Sequence, residues 1–232
     1  MSVNDDRQSG KGRWRMITPK WMVALLIASA GLALNASAQG ITPLSNIDSA
    51  VTGSLAVASD SMWGFIFRTG DDAWGYRLEQ VAIRMAPPEG QVSGLTAWLY
   101  EGGPNPAMRR RVIPLGGPVG ESDGVVYFAR EGVVLAGGTG HSFVLTADQP
   151  LSEGAYQWTM GTGLLGDGGW QTRTRWHSED GIQWRSENSD LPNMPHFAIT
   201  VTPVPEPSTL ALLALGGWWF WLRRRQWRRK GG

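Results

Sequence analysis

The side chains able to do acid–base, nucleophilic or metal chemistry between Gln39 and Pro203 are seventeen carboxylates and three histidines, with no cysteine anywhere in the chain. His141, His177 and His196 stand at none of the spacings that hold zinc, and no Gly-x-Ser-x-Gly elbow accompanies them. Glu153 and the Glu179-Asp180 pair are the carboxylates a glycosidase would have to use, about 5 to 10 Å apart and one with a raised pKa. In a segment this rich in carboxylates such pairs arise without chemistry. Asp71-Asp72 and Asp167-Gly168-Gly169 are turn carboxylates of the kind calcium takes, since hard cations prefer oxygen ligands. Neither follows the twelve-residue calcium loop, and turn formation explains both. The expectation is a protein that is not an enzyme, with no catalytic residue, no metal site and no cofactor, calcium being the one candidate.

A second kind of chemistry is aromatic. Seven tryptophans lie in the same segment: Trp63, Trp74, Trp98, Trp158, Trp170, Trp176 and Trp184. Indole rings exposed on a β-face stack against the CH faces of sugars, whereas in a core they supply bulk. Period-two spacing places Trp170 and Trp176 on one face of one strand, with Arg173, Arg175 and Gln171 nearby. If that face is outward, Trp170, Trp176 and Arg173 form a candidate glycan-binding strip, and the segment is a carbohydrate-binding module.

These residues need a scaffold, and the pattern is one of strands throughout. Alternating apolar and polar positions broken by Gly, Pro, Asn and Asp recur about every ten residues, the signature of an antiparallel sandwich or barrel. The expected class is all-β, an antiparallel, jelly-roll-like β-sandwich over residues 39–203. Trp63-Phe65-Phe67 makes one aromatic face, and Leu95-Ala97-Leu99 opposes Thr96-Trp98-Tyr100. Tyr76 and Leu78 are out of phase with Val81-Ile83-Met85, which predicts a bulge between them. Arg130-Glu131-Gly132 and Gly137-Gly138-Thr139-Gly140 read as hairpin joins, Ile182–Trp184 as a strand, and Arg109-Arg110-Arg111 as a solvated loop. Ten arginines, no lysine and seventeen carboxylates leave this segment at −7, which argues against nucleic acid. Without disulfides, an exported domain of this kind rests on its core.

Both ends of the chain differ from this body. Met1 to Lys20 is polar and basic, Trp21 to Leu34 is apolar, and Ala36-Ser37-Ala38 offers small residues to a signal peptidase. Residues 1–38 therefore read as a secretory signal for the Sec translocon, cut between Ala38 and Gln39, with Met16 an alternative start; a first transmembrane helix is the rival reading. At the other end stand Val204-Pro205-Glu206-Pro207-Ser208, an apolar run from Thr209 to Leu222, and Arg223, Arg224, Arg225, Arg228, Arg229 and Lys230. Prolines hold the chain extended before a helix. A helix over 208–222 would be about 22 Å long against a hydrocarbon core of about 30 Å, so it spans marginally. The six cations stay cytoplasmic, leaving residues 39–203 on the far side of the inner membrane.

The order of these parts, and their place at the end of the chain, resembles the PEP-CTERM sorting signal over residues 204–230. The resemblance implies a substrate of an exosortase, a membrane transpeptidase acting near the Pro-Glu-Pro motif. It further implies passage through the inner membrane to the cell surface or matrix, in association with exopolysaccharide or biofilm. Trp63–Gly70, Gly75–Val81, Leu95–Tyr100 and the run from Val134 to Leu145 are similar to the choice-of-anchor R type of β-domain, which implies an extracellular sandwich with no assigned activity.

Overall fold

The computed structural model describes residues 40–162, 165–187, 193–204, 216–219 and 221. Ala38–Leu212 forms one compact unit, and Met1–Ser37 with Leu213–Gly232 a second. Of the second, Gly216–Trp219 and Trp221 are described and are helical. No helix among the described residues is long and apolar enough to cross a membrane. The expected signal sequence with its expected cut at Ala36, Ala38 and Gln39, most of the helix expected over 208–222, and the basic tail 223–230 lie outside the described residues.

The body is all-β. Its strands are β1 (Ile41–Ser45), β2 (Val51–Val57), β3 (Met62–Arg68), β4 (Tyr76–Gly90), β5 (Thr96–Gly102), β6 (Arg109–Gly116), β7 (Gly120–Ser122) and β8 (Val125–Phe128). They continue with β9 (Val134–Leu135), β10 (Gly140–Thr146), β11 (Gly154–Gly161), β12 (Leu165–Gly166), β13 (Gln171–Ser178), β14 (Arg185–Glu187), β15 (Met194–Pro195) and β16 (Phe197–Pro203). Every pairing is antiparallel. One sheet runs β14-β13-β3-β10-β5-β6. The other runs β12-β1-β16-β4-β11-β15, with β2 on β11 and with β8 and β9 on β4.

The two sheets pack face to face in a sandwich-like arrangement. Period-two alternation sends Phe65, Phe67, Phe143, Leu99 and Leu145 from the six-stranded sheet, and Ile83, Trp158, Phe197, Ile199 and Val201 from the larger one, into one core. Phe65 stacks on Phe197 across the interface with ring centres 4.0 Å apart. Trp158 meets Phe143 edge-on, and its buried Nε1–H donates to the His196 carbonyl at 2.9 Å, so the indole brings no unpaired donor into the core. Aromatic bulk here takes the place of the missing disulfides.

Among the register shifts in the two sheets, those in β4 and β13 bear on which of the expected side chains reach that core. In β4, Leu78 stands opposite Val201 and Gln80 opposite Thr200, so Glu79 is the extra residue, and Leu78 and Val81 both turn inward. This is the bulge the phase change predicts. In β13, Thr172 stands opposite Phe67 and Thr174 opposite Ile66, so Arg173 is extra. The alternation of Trp170 with Trp176 reverses across it.

Three local expectations are corrected. The hairpins expected through Arg130-Glu131-Gly132 and Gly137–Gly140 do not form: β8, in a hairpin with β7 on its other side, and β9 both lie along one edge of β4, and the chain then crosses to the other sheet as β10. Arg109-Arg110-Arg111 is not a loop but the start of edge strand β6, where charge discourages a further strand from pairing. The strand expected over Ile182–Trp184 begins instead at Arg185, as β14.

Candidate functional site

The chain leaves the domain at a defined end. Pro203 stands opposite Tyr76 in the β16–β4 ladder, and the Val204 N–H donates to the Gly75 carbonyl at 3.0 Å. Gly75 adopts φ 77°, and a Cβ there would run into the Leu135 carbonyl, so only glycine lets the β3–β4 loop pass this close to β9. The Asp72 carboxylate accepts the Trp74 N–H at 2.9 Å and fixes the turn, with Trp74 as a residue 47 % exposed. The neighbouring loops close on this turn: Thr69 N–H donates to Thr139 O at 3.0 Å and Gly138 N–H to Gly70 O at 2.7 Å. Ile41 stands opposite Val201, so the domain's first strand starts at the end where its last strand stops. Val204, the first residue of the expected sorting motif, is thus still tied to the sandwich. Pro205, Glu206, Pro207 and Ser208 lie outside the described residues.

Of the carboxylates considered for chemistry, Asp71, Asp72, Asp167 and Asp180 are engaged locally in turns, while Glu153 and Glu179 are exposed. Asp71 pairs with Arg68 at 3.5 Å, and Asp167 accepts the Gly168 N–H at 2.7 Å. Asp180 Oδ1 accepts the N–H groups of Gln183 and Ile182 and the Ser178 hydroxyl; bonds to the charged form hold its carboxyl below the usual range, opposite to what a general acid needs. It lines, with Glu179 and His177, a shallow cleft of about 120 Å³. Among the described residues no three of His, Asp or Glu converge as a metal site.

Two of the three histidines, His141 and His196, are internal. His196 is fully buried and closes a relay that sequence reading does not reveal, because its members are scattered. The Thr159 hydroxyl donates to the Arg84 carbonyl at 2.8 Å, so it accepts Nδ1–H of His196 at 2.8 Å, and Nε2 accepts the Ser49 hydroxyl at 2.9 Å. A serine hydroxyl on a histidine nitrogen has the form of a nucleophile and its base, but this imidazole has no solvent exposure and Gly161 packs on both groups. The relay fastens the β1–β2 connection to β4 and β11. Burial first, and Arg84 second, hold the His196 pKa below its ordinary value. His177 stacks on Trp63 with ring centres 4.3 Å apart, and His141 is buried beside Phe67.

The proposed aromatic strip is not assembled. Trp170 is 3 % exposed and belongs to the main core, against Tyr76 and Phe67. The Arg173 bulge turns Trp176 to the outer face of the six-stranded sheet instead. There Trp176 stands opposite Gly64, which neighbours Val144, which neighbours Trp98. Trp98, Trp176 and Met62, all half-buried, pack around buried Trp184, Tyr100 and Val144 as a small second core. The Trp184 Nε1–H and an Arg109 N–H both donate to the Gly181 carbonyl, and the Arg109 guanidinium lies 4.4 Å from the Tyr100 ring centre. Only Trp176 and Arg173 of the expected strip remain outside the main core, and Arg173 is exposed.

Residues 203–226 match the family model of the PEP-CTERM protein-sorting motif. The match begins on the last residue of β16. No curated protein and no solved structure matches the chain. The motif marks an exported protein for exosortase-dependent sorting, with the exosortase as its processing partner.

Proposed function

We propose that this is a non-enzymatic surface or extracellular-matrix protein, handled as a membrane-held precursor and then sorted by an exosortase into or onto exopolysaccharide or biofilm. One observation carries the reading: the match to the sorting motif begins on Pro203, the last residue of β16, and the next residue, Val204, is held by Gly75. Cargo and handle are adjacent but separable. In this reading a signal peptidase cuts between Ala38 and Gln39 after passage through the Sec translocon. A helix over 208–222 then holds the precursor in the inner membrane, with Arg223–Lys230 in the cytoplasm. The strand orders β2-β11-β4-β8 and β3-β10-β5-β6 support the finer description of the body as jelly-roll-like, in keeping with the choice-of-anchor R likeness. That Asp71, Asp72, Asp167 and Asp180 are engaged in turns, and Ser49, Thr159 and His196 in an interior relay, supports an inert cargo.

The test is the mass of the mature carboxyl end in cells with and without the sorting enzyme. A product ending near Val204–Ser208 only when the enzyme is present is expected. A product that retains Arg223–Lys230 in normal cells refutes sorting. A second reading, a carbohydrate-binding module, is favoured by the half-exposed Trp98 and Trp176 sharing the outer face of the six-stranded sheet; it no longer includes Trp170.

A further inference from the structure

The end of the domain from which the chain leaves has a surface of its own. β1 begins there and β16 stops there, so the chain enters and leaves the sandwich on the same side. Gly40 follows the apolar run Trp21–Leu34 by six residues, and Thr209 follows Val204 by five. Each connection reaches at most about 20 Å when fully extended. Whatever holds either apolar run holds this end of the domain within that reach.

The same end carries exposed apolar side chains: Trp74 and Val134 at 47 % each, with Ala73 and Ala136. They belong to two segments in contact, the turn before β4 and β9 with the residues after it, since Gly75 packs on Leu135 and Gly137 on Asp72. The acidic residues of the turn are engaged: Asp71 faces Arg68, and Asp72 accepts the Trp74 N–H. An indole on a fixed turn, with its ring outward and small apolar neighbours, has the properties that place tryptophan at a membrane–water boundary, where an apolar body and an N–H donor are both satisfied.

We infer that Trp74, with Ala73, Val134 and Ala136, docks the domain on the lipid interface of the membrane that holds the precursor, and so sets the orientation in which the sorting motif is presented. This rests on the membrane-held precursor proposed above. The contact is small, so it acts only while the tether keeps the domain at the surface and is lost once the signal is removed.

The chain has no cysteine, so single labels are placed without background. The full chain is inserted into vesicles of phosphatidylcholine and phosphatidylglycerol, with an environment-sensitive fluorophore on Ala73→Cys or, at the opposite end beside Gly154, on Ser152→Cys; brominated lipid is the quencher. Flotation with the vesicles, strong quenching at position 73, little at position 152, and loss of the difference on Trp74→Ala are expected. Equal quenching at the two positions, or quenching at position 73 that Trp74→Ala leaves unchanged, overturns the docking. Failure to float removes the membrane-held precursor itself, a different and separately visible result. If Trp74→Ala leaves lipid quenching unchanged but slows removal of the C-terminal signal in cells, the surface belongs to the processing enzyme and the lipid assignment falls.

Discussion

His141 makes the stability of the domain depend on pH in a calculable way. It sits 2 % exposed on β10, with Phe67 stacked at 5.6 Å and Glu101 on the neighbouring strand. Burial pushes its imidazole down to about 4, with the Glu101 carboxylate and the Ala136 backbone offsetting part of the effect. An unfolded histidine titrates near 6.5. Above that value the ring is neutral in both states and contributes nothing. As pH falls from 6.5 toward 4 the unfolded chain takes up a proton that the folded one refuses, so stability is progressively lost. Two and a half pKa units at about 1.4 kcal/mol each, less the half-protonation reached at the lower limit, amount to about 3 kcal/mol. Folded domains have only roughly 5–15 kcal/mol in total. The assay is urea unfolding of residues 39–204, followed by tryptophan fluorescence at about pH 7 and about pH 4, on the native sequence and His141→Phe. Other groups, including His196 with its lowered pKa, act equally in both proteins and cancel in the comparison. The native sequence should lose about 3 kcal/mol more than the variant between the two pH values. Parallel losses, within about 1 kcal/mol, would show that the ring is charged in the fold and would refute the reasoning.

Gly161→Ala drives a methyl group into His196 Nε2 and Ser49 Oγ, breaks the relay, and should cost about 1–3 kcal/mol by urea unfolding. Gly140→Ala, with nothing near the new methyl group, should stay within about 0.5 kcal/mol of the parent. In acrylamide quenching of residues 39–204, Trp74→Phe should remove most of the accessible fluorescence, because Trp158, Trp170 and Trp184 are buried and Trp63, Trp98 and Trp176 half-buried. A variant that quenches like the parent would place an open aromatic face elsewhere and revive the glycan strip.

The difference between the two bulges explains what could be read in advance. Around Glu79 both flanking pairs, Tyr76 with Leu78 and Val81 with Ile83, are apolar, so the change of phase is written in residue types. Around Arg173 the flanking residues are polar threonines, and the even spacing of Trp170 and Trp176 mimics an undisturbed strand. Only the register against Phe67 and Ile66 separates their faces. Local turn chemistry likewise predicts hairpins at Arg130–Gly132 and Gly137–Gly140. It carries no information on whether the chain pairs next door or crosses to the opposite sheet, which depends on partners far away in sequence. The His196 relay joins Ser49, Arg84 and Thr159 from three distant stretches and has no local signature. The sorting motif was legible because it is local: order of residue types over a short span, with no tertiary partner needed.

That locality has a structural counterpart. β16 is hydrogen-bonded to β1 on one side and β4 on the other, and Phe197, Ile199 and Val201 are fully buried, so the sandwich is complete only when the chain through Pro203 is in place. Beyond Pro203, the hydrogen bond described between the body and the signal is Val204 N–H to Gly75 O, worth about 1 kcal/mol. A cut after Val204 removes none of the strand pairings described, whereas a cut within β16 removes ladder pairs with β4 such as Val201 opposite Leu78. Loss of the end of β16 would therefore open the core beside fully buried Val201.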